Sequence, residues 1–212
     1  MKALLVLAGS PPPAELLRQE AAGADLVVCA DHGAAHCAAA GVAIDLIVGD
    51  FDSLDAALAS DLRRQGIAFA VSPAEKDETD GQLALDKAME RGATEITVLG
   101  GTGGRIDHVL GNLQLILRAA RRGVGATLLD GVSSVRAVTG PVTISGAPGR
   151  TVSLLPAGEG VAVRYLSGLQ YGTTEPLALP LDCPMGVSNR MTAPTAAIEV
   201  DGWAYLIAND GQ

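Results

Sequence analysis

Eight aspartates, Asp31, Asp45, Asp50, Asp52, Asp55, Asp61, Asp77 and Asp80, fall within fifty residues of this 212-residue chain. The spacing of three of them suits chemistry. Asp50 and Asp52 alternate in Gly49-Asp50-Phe51-Asp52-Ser53, so in an extended loop both carboxylates point the same way, toward a common cation. Asp80 closes Lys76-Asp77-Glu78-Thr79-Asp80, where Thr79 and Gln82 make a capping-box pattern that sets Asp80 in the first turn of a helix. Three carboxylates at one edge repel one another unless a cation lies between them. Hard oxygen donors without His or Cys favour magnesium or a similar ion. The plainer reading of the same residues is structural: turn and dipole-complementing groups, with Ser53 capping a helix from Leu54.

A second cluster is glycine-rich. Gly100-Gly101-Thr102-Gly103-Gly104 holds four glycines in five residues, more than a tight turn needs, and Arg105 follows. Such a loop lets backbone N–H groups approach an anion, and the helix after it offers its positive end. Arg105 adds a planar donor fork for phosphate oxygens. Ile106 breaks a GxGxxG match and no GxxxxGK(S/T) occurs, so neither a standard dinucleotide site nor a Walker-type loop is expected. Asp107, His108 and Asn112 follow, with Asn112 one helical turn beyond His108. His108 reads as a general base or, in preference, as a hydrogen-bonded structural histidine. His32 and His36 are also four apart on a helix, yet no HExxH motif or third ligand completes a zinc site.

The elements that must position these residues alternate. Lys2–Ala8, Asp25–Ala30, Asp45–Val48, Ile67–Val71, Thr94–Leu99 and Ala126–Leu129 read as strands, several of them apolar on successive residues as strands buried on both faces are. Ala14–Ala22, Ala34–Ala40, Leu54–Gln65, Gly81–Arg91 and Ile106–Arg121 read as helices. In the last, Leu110, Leu113, Leu117 and Ala120 recur at helical spacing, and Arg118, Arg121, Arg122 and Gly123 make a stop signal. This alternation predicts an α/β N-terminal domain with a Rossmann-like parallel sheet, whose ligands bind outside the carboxyl ends of the strands. The loops bearing Asp31, Asp50, Asp80 and the glycines all fall at or beyond such ends. From Ser134 the segments turn short and β-like: Ser134–Val138, Val142–Ile144, Thr151–Leu155, Val161–Tyr165, Val187–Met191, Ala196–Val200 and Trp203–Ile207. Gly and Pro punctuate them, which predicts a C-terminal all-β sandwich. The expected domains are therefore 1–131 and 134–212.

Charge narrows the function classes. The chain carries 24 acidic and 15 basic side chains, a net charge of −9. Residues 25–107 hold fifteen of the acids and six of the bases, so this window accounts for the whole excess. A nucleic-acid or anionic-membrane binder needs clustered Lys and Arg instead. A hydrophobic share of 48% excludes a wholly disordered chain. No run approaches the roughly 18 apolar residues of a membrane span. Apolar Ala3–Ala8 is short, ends at Gly9-Ser10 and three prolines, and is not read as a signal peptide. Cys29, Cys37 and Cys183 lack CxxC spacing, which suggests neither a disulfide framework nor zinc, and a reducing cytoplasm is expected.

In this order the loops resemble those of the thiamine pyrophosphokinase family. The matching pieces are Cys29-Ala30-Asp31, Gly49-Asp50-Phe51-Asp52-Ser53, Lys76-Asp77-x-Thr79-Asp80 and Gly103-Gly104-Arg105-x-Asp107-His108 with Asn112. Gly186-Val187-Ser188-Asn189 and Trp203 add a weaker likeness in the β region, so the resemblance covers nearly the whole chain. It departs at His32, where the family usually has Gly. The resemblance implies transfer of the pyrophosphoryl group of ATP to the hydroxyl of thiamine, giving thiamine diphosphate and AMP. It implies that Asp50, Asp52 and Asp80 hold magnesium and, with Arg105, form the catalytic set. Asp31, Lys76, Asp77, Thr79, Gly103, Gly104, Arg105, Asp107 and Asn112 would serve the nucleotide. Ser188, Asn189 and Trp203 would take thiamine at a homodimer interface, the aromatic ring facing a cationic thiazolium. The competing readings are a pyrophosphokinase for another heterocyclic alcohol, such as a pterin, and a non-catalytic nucleotide or thiamine sensor.

Overall fold

The structure, a computed structural model, describes residues 1–52, 54–73 and 77–209. The chain divides into two compact units, Met1–Gly131 and a second beginning at Val132.

In the first unit β1 (Lys2–Val6), β2 (Leu26–Ala30), β3 (Leu46–Gly49), β4 (Ala68–Val71), β5 (Glu95–Leu99) and β6 (Gly125–Leu129) lie in the order β6-β5-β1-β2-β3-β4. Every pair is parallel. β2 and β3 are buried at every position, as the unbroken runs Leu26–Ala30 and Leu46–Gly49 require of strands covered on both faces. Alternate residues divide between the two faces. Leu4, Val6, Val27, Cys29 and Ile47 join Leu17, Ala34, Cys37, Ala59 and Leu62 in one core cluster, which brings in α1 (Ala14–Ala22), α2 (Gly33–Ala40) and α3 (Ala56–Arg64). α4 (Asp80–Glu90) packs on β1, β2 and β3, and α5 (Ile106–Arg121) on β6.

Helix boundaries follow local chemistry with two corrections. Asp55, not Ser53, caps α3, accepting a hydrogen bond from the Leu58 N–H at 3.0 Å. Ser53 itself lies outside the described residues. α5 has the expected limits but a different inner face: Leu115, Ile116 and Ala119 are buried, whereas Leu110 is exposed. Both sets have helical spacing, and only packing against the sheet chooses between them. Elsewhere Thr79 caps α4, its hydroxyl accepting from the Gln82 N–H at 3.1 Å. Asp25 and Asp45 are structural. Asp25 accepts from the Lys2 N–H at 2.8 Å and Asp45 from the Val27 N–H at 2.7 Å, tying each strand start to its neighbour.

The described strand pairs of the second unit are all antiparallel, and so are its short bridges. Its spine is a pair of long strands, β7 (Ser133–Ser145) and β12 (Thr195–Asn209), where the sequence pattern suggested four short ones. Gly140 and Gly202 do not end these strands. They take left-handed backbones beside a register shift between Val200 and Ala204, so the pair bends and continues. Beyond the bend β12 changes partners. Its first half pairs with β9 (Ala162–Ser167) and its second with β8 (Thr151–Pro156). β10 (Leu177–Ala178) extends β9, and β11 (Asn189–Arg190), shorter than the expected Val187–Met191, extends β8. One core cluster, including Val152, Leu154, Val163, Ile198 and Leu206, serves both branches.

Candidate active site

Four adjacent strands, β3, β2, β1 and β5, each end in a loop with polar or glycine-rich character. The carboxylates gather at the β2 and β3 ends. Oxygens of Asp31, Asp50 and Asp52 all lie within 4.8 Å of one another, a spacing that suits a shared divalent cation. The fit is chemical as well as geometric. The Asp50 carboxylate beside it holds Asp52 above the usual carboxylate range, with Asp31 and Asp80 adding smaller contributions of the same sign. A cation would relieve that repulsion.

Each ligand candidate has its own support. Asp31 is buried, stands in a left-handed conformation (φ 45°), and donates its N–H to Val48 O at 2.9 Å. Asp is among the few residues that tolerate this backbone. Asp52 donates its N–H to Asp50 Oδ1 at 3.1 Å, which folds the loop around Phe51. Asp80 stands in the first turn of α4, where the dipole favours a carboxylate, with Ser72 Oγ 3.5 Å from its Oδ1. It lies outside the group of three, so the expected trio of Asp50, Asp52 and Asp80 differs from the one that converges most closely. Gly33 completes this end. A Cβ there would lie 2.2 Å from Val6 O, so α2 starts pressed against the end of β1 even though His32 departs from the family pattern.

The glycine loop sits at the β1 and β5 ends. These strands are neighbours in space, while chain order runs away from β1 through β2, β3 and β4 before returning to β5. That reversal is where open parallel sheets bind ligands. The loop after β1 braces it: Gly9 donates its N–H to Gly100 O at 2.8 Å and Ser10 to Thr102 O at 2.9 Å. Gly103 is left-handed (φ 76°), and a Cβ on it would lie 1.9 Å from Ser10 Oγ. Asn112 Nδ2 donates to Gly101 O at 2.9 Å, so its amide steadies the loop. His36 Nε2 lies 3.0 Å from Gly9 O, and burial is the chief cause that lowers its pKa. Gly9 and Ser10 were not singled out in the sequence. They carry no charge and precede three prolines, and only the position of β1 between β5 and β2 makes them part of the site.

Arg105 and Asp107 are engaged with each other at the start of α5. Arg105 Nε reaches Asp107 Oδ1 at 3.1 Å and its Nη2 reaches Oδ2 at 2.5 Å. This fork raises the arginine pKa and holds Asp107 below the usual carboxylate range. Both side chains are exposed, so the pair is an exchangeable contact. His108 is exposed as well, which does not fit the expected structural histidine. Asp77 is exposed, the Thr79 hydroxyl serves as helix cap, and Lys76 lies outside the described residues.

In the second unit Ser188 is left-handed (φ 62°) and its N–H donates to Ser153 Oγ at 3.0 Å. Asn189 is committed to its own loop, accepting from the Tyr171 N–H at 3.0 Å and donating to Tyr171 O at 2.8 Å. It pairs with Val152 at one end of β8, whereas the Trp203 carbonyl accepts from the Ala157 N–H past the other end. At about 3.3 Å per residue these levels are roughly 16 Å apart along the strand. Within a single copy, therefore, Trp203 is not brought to Ser188 and Asn189.

The family description "Thiamin pyrophosphokinase, catalytic domain" matches residues 17–128, just over half of the chain. The thiamine pyrophosphokinase of Bacillus subtilis (strain 168) is 34% identical over 125 residues, and the match spans 58% of each protein, less than two thirds of that relative. Among solved structures, a thiamin pyrophosphokinase family protein from Enterococcus faecalis is 30% identical with a TM-score of 0.82, each chain covered in full. The thiamin pyrophosphokinase of Geobacillus thermodenitrificans is 27% identical, also at 0.82, with 100% of this chain and 99% of that one covered. The Bacillus subtilis structure, at 23% identity and a TM-score of 0.85 over both full chains, shares the fold. The chain thus belongs to the thiamin pyrophosphokinase family, its matched catalytic-domain region carrying the converging carboxylates and the glycine loop.

Proposed function

We propose that the protein transfers the pyrophosphoryl group of ATP to the hydroxyl of thiamine, forming thiamine diphosphate and AMP with magnesium. The observation that carries this reading is the approach of Asp31, Asp50 and Asp52 within 4.8 Å, on strands next to those bearing the glycine loop. Such transfers need positioning and charge neutralisation more than covalent chemistry. Asp31, Asp50 and Asp52, with Asp80 close by, would hold magnesium, which when bound offsets phosphate charge and makes phosphorus a better electrophile. The Gly103 and Gly104 N–H groups and the start of α5 would cradle phosphate oxygens. Arg105 would exchange Asp107 for a phosphate oxygen, Asn112 keeping the loop in shape. The hydroxyl of thiamine would attack the β-phosphorus, the bond to the α-phosphate oxygen would break, and AMP would leave. Asp80 would orient that hydroxyl and accept its proton.

Thiamine would lie between two copies, near Ser188 and Asn189 of one and Trp203 of the other. The separation of those residues within one copy supports this. The two branches of the second unit, sharing one core, support a β-sandwich. Free Cys29, Cys37 and Cys183 suit a cytoplasmic setting, and no described helix is long and apolar enough to cross a membrane. Incubation with thiamine, ATP and magnesium, followed by chromatography, should yield thiamine diphosphate and AMP in equal amounts. ADP as the nucleotide product, or ATP binding without turnover, would sink the reading.

A further inference from the structure

We infer that Phe51 is the positioning residue of the carboxylate group, its ring anchoring the turn that brings Asp50 and Asp52 to one side; this rests on the metal site proposed above. Phe51 sits between the two aspartates with φ 64°, a conformation that a bulky side chain adopts only when its surroundings enforce it. The enforcement is visible. The Phe51 ring meets Phe69 of β4 edge to face, centroids 5.1 Å apart at 69°, and the Arg63 guanidinium of α3 lies 4.4 Å from the Phe69 ring centroid. Both rings pack on the core cluster that includes Ile47, Leu54 and Leu62. With the ring held, the left-handed turn lets the Asp52 N–H reach Asp50 Oδ1 at 3.1 Å and keeps both carboxylates within 4.8 Å of Asp31. A glycine would accept the backbone angle more readily, but it could not fix the turn. Two elements without a carboxylate in the group of three, α3 and β4, thereby set its geometry.

Binding of Mn²⁺ to the otherwise ligand-free protein, followed by electron paramagnetic resonance, tests this without turnover. Phe51→Gly and Phe69→Ala should remain folded and bind Mn²⁺ about tenfold more weakly or worse, the effect expected when the support of a metal ligand is removed. Phe51→Leu, which keeps apolar bulk, should retain most of the affinity. Ile96→Ala, a core truncation on β5 outside that cluster, should lower the melting temperature and leave Mn²⁺ binding unchanged. A folded Phe51→Gly or Phe69→Ala protein that binds Mn²⁺ as tightly as the parent overturns the inference, and so does an equal loss in Ile96→Ala. If Phe51→Gly does not fold, Phe69→Ala decides. No Mn²⁺ binding by the parent would overturn the metal reading as well.

Discussion

Asp52 carries the sharpest trade-off in the molecule. Asp50 holds its carboxyl above the usual range, so the folded protein keeps a proton there at pH values where the unfolded chain has released it. Between the ordinary carboxylate range and the raised value the folded state binds more protons. Stability therefore falls as pH rises through that window and stays lower above it. Asp52→Asn should raise the melting temperature at neutral pH, and the gain should vanish below the window in a calorimetric pH series. The same variant should lose AMP formation by about a hundredfold or more, the scale on which a lost electrostatic stabiliser shows. Near-normal turnover would remove Asp52 from the site. Asn112 works through another group. Asn112→Ala leaves Gly101 O without its donor, and steady-state kinetics should show a higher KM for ATP with kcat less affected.

Helices and loops are held by contacts of unequal tolerance. Gly33 starts α2 against backbone, and Val6 O cannot move without disturbing β1, so Gly33→Ala should cost about 2 kcal/mol or more in denaturant unfolding. Gly103 faces a side chain instead. Gly103→Ala should also destabilise, but combining it with Ser10→Gly should recover part of the loss, because the clash is with Ser10 Oγ. The remainder measures the left-handed backbone. On α4, Asp86 accepts from Arg118 Nε at 3.1 Å and Nη2 at 2.8 Å, and from Arg122 Nη1 at 2.8 Å. This fork links α4, which carries Asp80, to α5, which follows the glycine loop. Being partly exposed, it positions more than it stabilises.

At the scale of the molecule the net charge of −9 belongs mostly to the first unit, and its acids have different employments. Asp25 and Asp45 fasten strand starts, Asp55 caps a helix, Asp61 pairs with Arg64, and Asp86 joins two helices. The oxygens of Asp31, Asp50 and Asp52 lie within 4.8 Å of one another. Excess magnesium should therefore stabilise the parent protein by mass action, about 2.7 kcal/mol at a hundredfold excess over Kd, and a thermal melt of Asp52→Asn should not respond. Equal shifts in both proteins would mean that the ion acts elsewhere. In the second unit the patterning was legible only in part. Gly140-Pro141 and Asp201-Gly202 look like turns between short strands, yet each lies inside a long strand that bends. A glycine marks a break in direction, and whether the chain reverses or merely bends depends on which strand lies beside it.

By itself the sequence determined which residues could carry chemistry and on which elements they stand. Short unbroken apolar runs bounded by turn residues read as strands covered on both faces, Thr79 with Gln82 reads as a helix start, and Asp50-Phe51-Asp52 and four glycines before Arg105 stand out by residue type alone. Tertiary structure alone decided which of them meet. Parallel strands joined by helical crossovers need not be laid down in chain order, and β1 between β5 and β2 brings the Gly9-Ser10 loop against Gly100–Gly103 across some ninety positions of sequence. The same strand order sets Asp31 beside Asp50 and Asp52. The inner face of α5, the cap at Asp55 and the ring packing of Phe51 were decided likewise, because local pattern permits several solutions and burial against a particular neighbour selects one.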